Sequence, residues 1–196
     1  MFKLQPVRGT ADLFPDVMAQ HRLVIDTARH VTVRYGFQEM ATPIFEFSDV
    51  FNRPLGESSD IVTKENYSFV DRGGEQLTLR PENTAGVVRA MISGGLTQRL
   101  PLKYFYAGPM FRYERPQKGR MRQFHQVGIE YLGPNDALAD AEVISAGARF
   151  LARHGVLPHC ILHLNSLGDA ESRAAYRSAL MGFLQTHESA LSDDSK

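Results

Sequence analysis

The sequence has one cysteine in 196 residues, no net charge, and no apolar run approaching the length of a membrane span. Each shortage excludes something. A single thiol, Cys160, rules out an internal disulfide and suits a reducing compartment. Without about 20 consecutive apolar residues no spanning helix is expected. The N-terminal MFKLQPVRG has no hydrophobic signal core, so a soluble cytoplasmic protein is the expectation. The 22 basic and 22 acidic residues cancel, so a nucleic-acid partner would have to be held by a local patch. Neither GxxxxGK[ST] nor a strand–GxGxxG–helix signature is present, which argues against a P-loop or Rossmann nucleotide site. Internal repeats, low-complexity tracts and obvious linkers are also lacking. At 43% hydrophobic and 22% charged, the chain suffices for one ordinary core.

What is present centres on Lys103–Leu132, KYFYAGPMFRYERPQKGRMRQFHQVGIEYL. Tyr104–Tyr113 and Gln123–Leu132 alternate as strands, and ERPQKGRMR between them carries turn residues Pro116 and Gly119. That loop sets Arg115, Lys118, Arg120 and Arg122 against Glu114 alone. A charged loop is ordinarily a solvated face. Here the second strand is polarised as well: the period of two separates Phe124, Gln126, Gly128 and Glu130 from Val127, Ile129 and Tyr131. The second set reads as core. The first reads as a ligand floor, with Gly128 leaving room for an approach to the backbone. Arg112, ending the first strand, is placed to reach the same space.

FRYERPQKGRMRQFHQVGIE resembles motif 2 of the class II aminoacyl-tRNA synthetases, in the form found in histidyl-tRNA synthetases. The Phe-Arg-x-Glu core marks the class; the ERPQKGR loop, QFHQ and the Gly-x-Glu narrow it. LTLRPENTAGVVRA is similar to the same family's Thr-Leu-Arg-Pro-Glu-Gly-Thr-Ala-Gly segment, departing at Asn83. The resemblance implies an α+β catalytic fold, an antiparallel sheet flanked by helices. It implies ATP-dependent activation of L-histidine to histidyl-adenylate and transfer to tRNA(His), in a cytoplasmic homodimer. It runs from about Val7 to the C-terminus yet covers less than half of a typical family member. Residues 1–196 would be the N-terminal portion of the catalytic domain, with motifs 1 and 2. Motif 3, a later histidine-binding segment and the anticodon-binding domain would be missing, and the isolated chain would be folded but inactive.

In chain order, Asp16–Tyr35 reads as a helix with a stripe of Val17, His21, Val24, Ala28, Val31 and Tyr35, ended by Gly36. Phe37–Ile44 reads as a strand interrupted at Pro43. In the family this helix and strand are motif 1, which builds the dimer interface; the stripe would equally suit burial within the monomer. Phe51–Thr63 is expected as loop. Asn66–Asp71 and Glu75–Arg80 form a hairpin turning at Arg72-Gly73-Gly74, burying Leu77 and Leu79 and sending Thr78, Arg80 and Glu82 to the other face. Thr84–Ile92 is a short helix, with Asn83 suited to its N-cap or to a left-handed conformation. A helix follows from Asp136 to His154, then a strand Cys160–Asn165 and a helix from Asp169 to about Thr186. Glu188–Lys196 is unpatterned. His159, Cys160 and His163 do not make a metal site, since alternation points them to different faces and no second cluster completes a set.

Amino-acid activation brings a carboxylate onto the α-phosphate of ATP, so two anions meet and charge accumulates on the phosphoryl oxygens. A fixed guanidinium suits that point, and Arg112 fits it. Arg115, Arg120 and Arg122 are candidates for outer phosphates or a tRNA 3′ end. By resemblance, the ATP site comprises Arg112, Glu114 accepting from the adenine amino group, Arg120, and Phe124 stacking on the base. Arg115, Lys118 and Arg122 would face the tRNA acceptor end. Glu82, Thr84 and Gln126 would hold the histidine ammonium, although a carboxylate where Glu82 sits is ordinarily a helix-end charge worth under about 1 kcal/mol. Glu130 would accept an imidazole N–H. Mg²⁺ would arrive with ATP, with no protein-bound metal. The alternative is a non-catalytic, synthetase-like regulatory subunit of ATP phosphoribosyltransferase. Retention of Arg112, Glu114, Arg120, Arg122, Gln126 and Glu130 together favours the ligase.

Overall fold

The computed structural model describes residues 4–55, 65–115, 117–166 and 168–192. The chain divides into two compact units, Met1–Pro158 and His159–Lys196. No helix among the described residues is long and apolar enough to cross a membrane.

In the first unit, α1 runs over Pro15–Val33. Pro15 starts it where a missing N–H costs nothing, and Gly36 (φ 80°) ends it in the left-handed conformation. Ala28, Val31 and Thr32 are buried, whereas Val17 and Val24 of the expected stripe are exposed, so only its C-terminal half is covered within the chain. The strand expected over Phe37–Ile44 is reduced to β1, Gln38–Glu39. Past it the chain leaves the sheet and pairs anew as β2, Phe45–Phe47, beyond the proline that has no N–H to give. The expected loop is partly helical: α2 is Asp49–Leu55, and Phe51 is completely buried. From residue 56 to 63 that expectation lies outside the described residues.

The hairpin forms as expected, β3 (Tyr67–Val70) against β4 (Gln76–Leu79). Asp71 shapes its turn, its Oδ1 accepting from the amides of Gly73 (2.8 Å) and Glu75 (2.9 Å). The face that carries Thr78 and Arg80, opposite Leu77 and Leu79, is the more buried one. Thr78 is inaccessible, hydrogen-bonded to the hydroxyls of Ser48 and Ser68 at 2.8 Å each, and Arg80 is 6% exposed. Then come α3 (Thr84–Ser93), β5 (Leu102–Phe111), β6 (Gln123–Leu132) and α4 (Ala137–Arg153). Asp136 caps α4, accepting from the Ala139 amide at 3.0 Å.

The strands form two three-stranded sheets, ordered β2-β4-β3 and β1-β5-β6. The fold is α+β with antiparallel pairing throughout, except that the short β1 runs parallel to β5. The long β5–β6 ladder, from Leu102↔Leu132 to Phe111↔Gln123, separates two packed faces. On one, Phe105, Val127, Ile129 and Tyr131 meet Ala28 and Phe37 and, from α4, Val143 and Phe150. On the other, Tyr106 and Met110 meet Val87 of α3, with Met40, Tyr104 and Phe124 beside them. Burial of a side chain such as Phe105 contributes about 1.5–3 kcal/mol. This division is the one the alternation of β6 predicts.

In the second unit, α5 spans Ala170–Thr186 behind a capping box. Asp169 accepts from the Ser172 amide at 2.7 Å, while Ser172 Oγ accepts from the Asp169 amide at 3.0 Å. The strand expected over Cys160–Asn165 does not form. Its apolar Ile161, Leu162 and Leu164 are exposed, and no strand among the described residues of this unit offers a ladder.

Candidate functional site

The junction between β4 and α3 is built by three consecutive polar tasks. Arg80 is turned inward. Its Nε donates to the carbonyl of Pro109 (2.9 Å) and its Nη1 to the carbonyl of Thr42 (3.0 Å). Burial lowers the affinity of this guanidinium for its proton. Gly108 on β5 is required beneath it, because a Cβ there would collide with Nη2. Glu82 caps α3, accepting from the amide of Thr84 at 2.6 Å (Oε2) and from that of Ala85 at 3.0 Å (Oε1). Asn83 therefore does not cap the helix, and with φ −122° it is not left-handed. It is buried instead, its Oδ1 accepting from Thr42 Oγ1 at 2.5 Å. Gly86 leaves room for that pair: a Cβ on it would come within 3.1 Å of Asn83 Oδ1 and 3.2 Å of Thr42 Oγ1.

This junction faces β6. The hydroxyl of Thr84 donates to Glu130 Oε1 at 2.7 Å, joining two residues read from separate motifs. A third, Tyr106, escapes sequence reasoning altogether: its hydroxyl lies 3.3 Å from the same oxygen. Gly128 does not leave the floor open to a ligand, as its small size suggested. It lies opposite Tyr106 in the ladder, and the phenol occupies the space above it. Burial raises the carboxyl of Glu130, and the bonds from Thr84 and Tyr106 oppose that rise. The Tyr106 phenol is pushed up to about 12, first by burial and then by the nearby Glu130.

At the open end of the ladder, Arg112 Nε donates to the carbonyl of Pro81 at 2.9 Å, next to Glu82. Its guanidinium lies over the Phe124 ring, 5.0 Å from the centroid, and 3.9 Å from Glu114. Arg120 reaches Glu114 at 3.4 Å. Arg122 is engaged locally. Its Nε donates to the carbonyl of Glu114 (3.2 Å), its guanidinium lies 4.1 Å from the Tyr113 ring centroid, and its amide donates to the carbonyl of Gly9 (2.7 Å). Arg115 and Lys118 are exposed. Gln126 is half-buried opposite Gly108, on the strand that carries Phe124 and Glu130. The structure thus brings together Glu82, Thr84 and Glu130 as one cluster and Arg112, Glu114, Arg120 and Phe124 as another, bridged by the Pro81 carbonyl. Among the described residues no three His, Cys, Asp or Glu side chains gather as metal ligands.

The family model for histidyl-tRNA synthetase matches residues 9–188. The histidine–tRNA ligase of Rhodospirillum rubrum is 63% identical over 195 residues, an alignment covering all of this chain and 47% of the relative. The chain spans about half the length of the curated relatives it matches. The apo histidyl-tRNA synthetase of S. aureus superposes with a TM-score of 0.71 at 32% identity, over 98% of this chain and 45% of that one. A Bacillus halodurans protein, described as an ATP phosphoribosyltransferase regulatory subunit/histidyl-tRNA synthetase, gives a TM-score of 0.69 at 26% identity. That match covers 80% of this chain and 39% of that one.

Proposed function

We propose, from the premise that this chain belongs to the histidyl-tRNA synthetase family, that it supplies the histidine-recognising and α-phosphate-binding part of a histidine–tRNA ligase. Residues 1–196 carry motifs 1 and 2 of a class II catalytic domain in this reading. The observation that carries it is the 2.7 Å bond between Thr84 and Glu130, which joins the start of α3 to the polar face of β6, with Arg112 hydrogen-bonded to the carbonyl of nearby Pro81.

The histidine ammonium donates to Thr84 Oγ1, whose own proton is committed to Glu130, and to remaining lone pairs of Glu82 and Gln126. The imidazole N–H donates to Glu130. An apolar competitor would leave that half-buried carboxylate unpaired, which is the basis of the choice. The histidine carboxylate oxygen then bonds to the α-phosphorus of ATP, and the bond to the β-bridging oxygen breaks to release pyrophosphate. Arg112 holds both anions and stabilises the charge gathering on the α-phosphoryl oxygens. Phe124, already stacked on Arg112, offers its other face to adenine, Glu114 accepts from the adenine amino group, and Arg120 meets the outer phosphates. Mg²⁺ enters as the counter-ion of ATP. Arg115, Lys118 and Arg122 face the acceptor end of tRNA(His). The exposed N-terminal half of α1 is covered by a second copy.

The test is calorimetric titration of the chain with L-histidine, L-phenylalanine and L-lysine, beside the Glu130→Gln variant. Histidine binding tighter than the other two and lost in the variant is expected. Equal binding of all three removes Glu130 from recognition. The Bacillus halodurans match raises a regulatory role, and histidine-dependent pyrophosphate exchange by the intact gene product separates the two. A ligase exchanges; a subunit that binds histidine without exchange is regulatory.

A further inference from the structure

Tyr106 and Gly128 are direct partners in the β5–β6 ladder. A Cβ on residue 128 would collide with the hydroxyl end of the Tyr106 ring, so only glycine lets the phenol lie across the neighbouring strand. The ring is buried at 7% exposure, and the acceptor for its hydroxyl is Glu130 Oε1, 3.3 Å away. Thr84 donates to that same oxygen at 2.7 Å. Two donors from two elements therefore converge on Oε1. Oε2 has no donor among the described residues.

We propose that Tyr106 is a positioning residue: its phenol, seated in the volume Gly128 leaves empty, fixes Glu130 Oε1 jointly with Thr84 and leaves Oε2 alone to meet a ligand. The proposal rests on the preceding reading only for what Oε2 receives. One presented oxygen suits a planar group with a single N–H aimed along the carboxylate plane. A guanidinium fork, which needs two oxygens side by side, finds one of them already engaged. The arrangement thus selects by donor count as well as by polarity. The hydroxyl of Tyr106 is required for it, and the ring alone is not sufficient.

The groups that face Glu130 are Glu82 and Thr84 from the junction and α3, and Tyr104 and Tyr106 from β5; Tyr106 is also hydrogen-bonded to Thr84 and acts in turn on the Arg80 guanidinium. Glu82 and burial disfavour the charged carboxylate, whereas the hydroxyls of Thr84 and Tyr106 favour it. Loss of the Tyr106 hydroxyl should therefore move the protonation of Glu130 to higher pH.

The decisive variant is Tyr106→Phe, which keeps the ring over Gly128. The carboxyl titration of Glu130 is followed by carbon-13 NMR in the glutamate-labelled chain, its signal assigned by disappearance in Glu130→Gln. A rise of about half a pH unit or more in Tyr106→Phe is expected, with a melting curve as cooperative as the parent's. Gly128→Ala, which displaces the ring, should move the titration the same way. An unchanged Glu130 titration in Tyr106→Phe overturns the proposal. L-Histidine is then titrated into parent and variant. If Glu130 shifts while histidine affinity stays constant, Tyr106 positions the carboxylate and the assignment of Glu130 to the imidazole falls.

Discussion

Thr84 and Glu130 are 46 residues apart in the chain and 2.7 Å apart in the fold, the hydroxyl of one donating to the carboxylate of the other. The contact ties the first residue of α3 to the polar face of β6. In the proposed function the two groups serve opposite ends of histidine, and this bond holds them in a single unit.

Thr84→Ala should raise the Michaelis constant for histidine by about tenfold or more, since a hydrogen bond to a charged group is worth roughly 1.5–3 kcal/mol. The constant for ATP should stay within about twofold of its original value. Thr84→Ser keeps the donor and should restore most of the loss. Pyrophosphate exchange by the intact gene product, with each substrate varied in turn, measures both constants. A parallel rise in the two would make the contact structural.

Arg112→Ala should lower kcat by about a hundredfold or more, because it removes a fixed donor from the developing charge on the α-phosphate. Its bond to the Pro81 carbonyl is lost as well, about 1.5–3 kcal/mol for a bond made by a charged group, which lowers the melting temperature by several degrees without unfolding the chain. Exchange rates and thermal melts taken side by side distinguish the two effects. A rate loss below about tenfold would take Arg112 away from the phosphorus.

Glu130 also sets a pH dependence of stability. Burial raises its carboxyl above the unfolded value, so the folded chain holds this proton more tightly than the unfolded chain does. The stabilisation is complete below the ordinary glutamate range, about 4.3, and is lost as pH rises through the elevated folded value. Glu130→Gln, which cannot ionise, should flatten urea-unfolding stability against pH over that interval. An unchanged slope would mean that Glu130 titrates alike in both states.

Self-association is expected through α1. Phe14, Val17, Leu23, Val24 and Val33 are exposed on it and beside it, together with Ile44 and Phe45 farther along the chain. Sedimentation equilibrium at micromolar concentration should report a dimer, and Leu23→Glu should shift it towards monomer. A monomeric parent would refute the interface for this chain.

Much of this site was legible because its signals are local. The alternation of β6 fixes both the bounds Gln123–Leu132 and the division of its faces, and the packing follows it. Glu82, Thr84 and Glu130 were legible as residue types in motifs, and the fold brings them together. Tyr106 was not, because its role depends on ladder register. Register is set by where the hairpin opens, at Phe111↔Gln123, and the basic loop gives no turn signature strong enough to fix that. The burial of Asn83 is a long-range fact, made by a threonine 41 residues earlier. The strand read over Phe37–Ile44, interrupted at Pro43, is shorter in the fold, ending at Glu39 well before the proline. The interruption comes from a change of partner, from β5 to β4, that no local pattern records.

Arg80 is where the two sheets are sewn together. Its amide donates to the carbonyl of Ile44 on the way into β2, and its own carbonyl accepts from the amide of Phe111 at the end of β5. Its side chain reaches Pro109 and Thr42 across the same seam. A joint that uses both backbone groups and the guanidinium of one residue couples the two sheets through a single side chain and its own peptide groups. For redesign, the alphabet at position 80 is effectively closed, because any other side chain gives up the bonds to Pro109 and Thr42 that cross the seam.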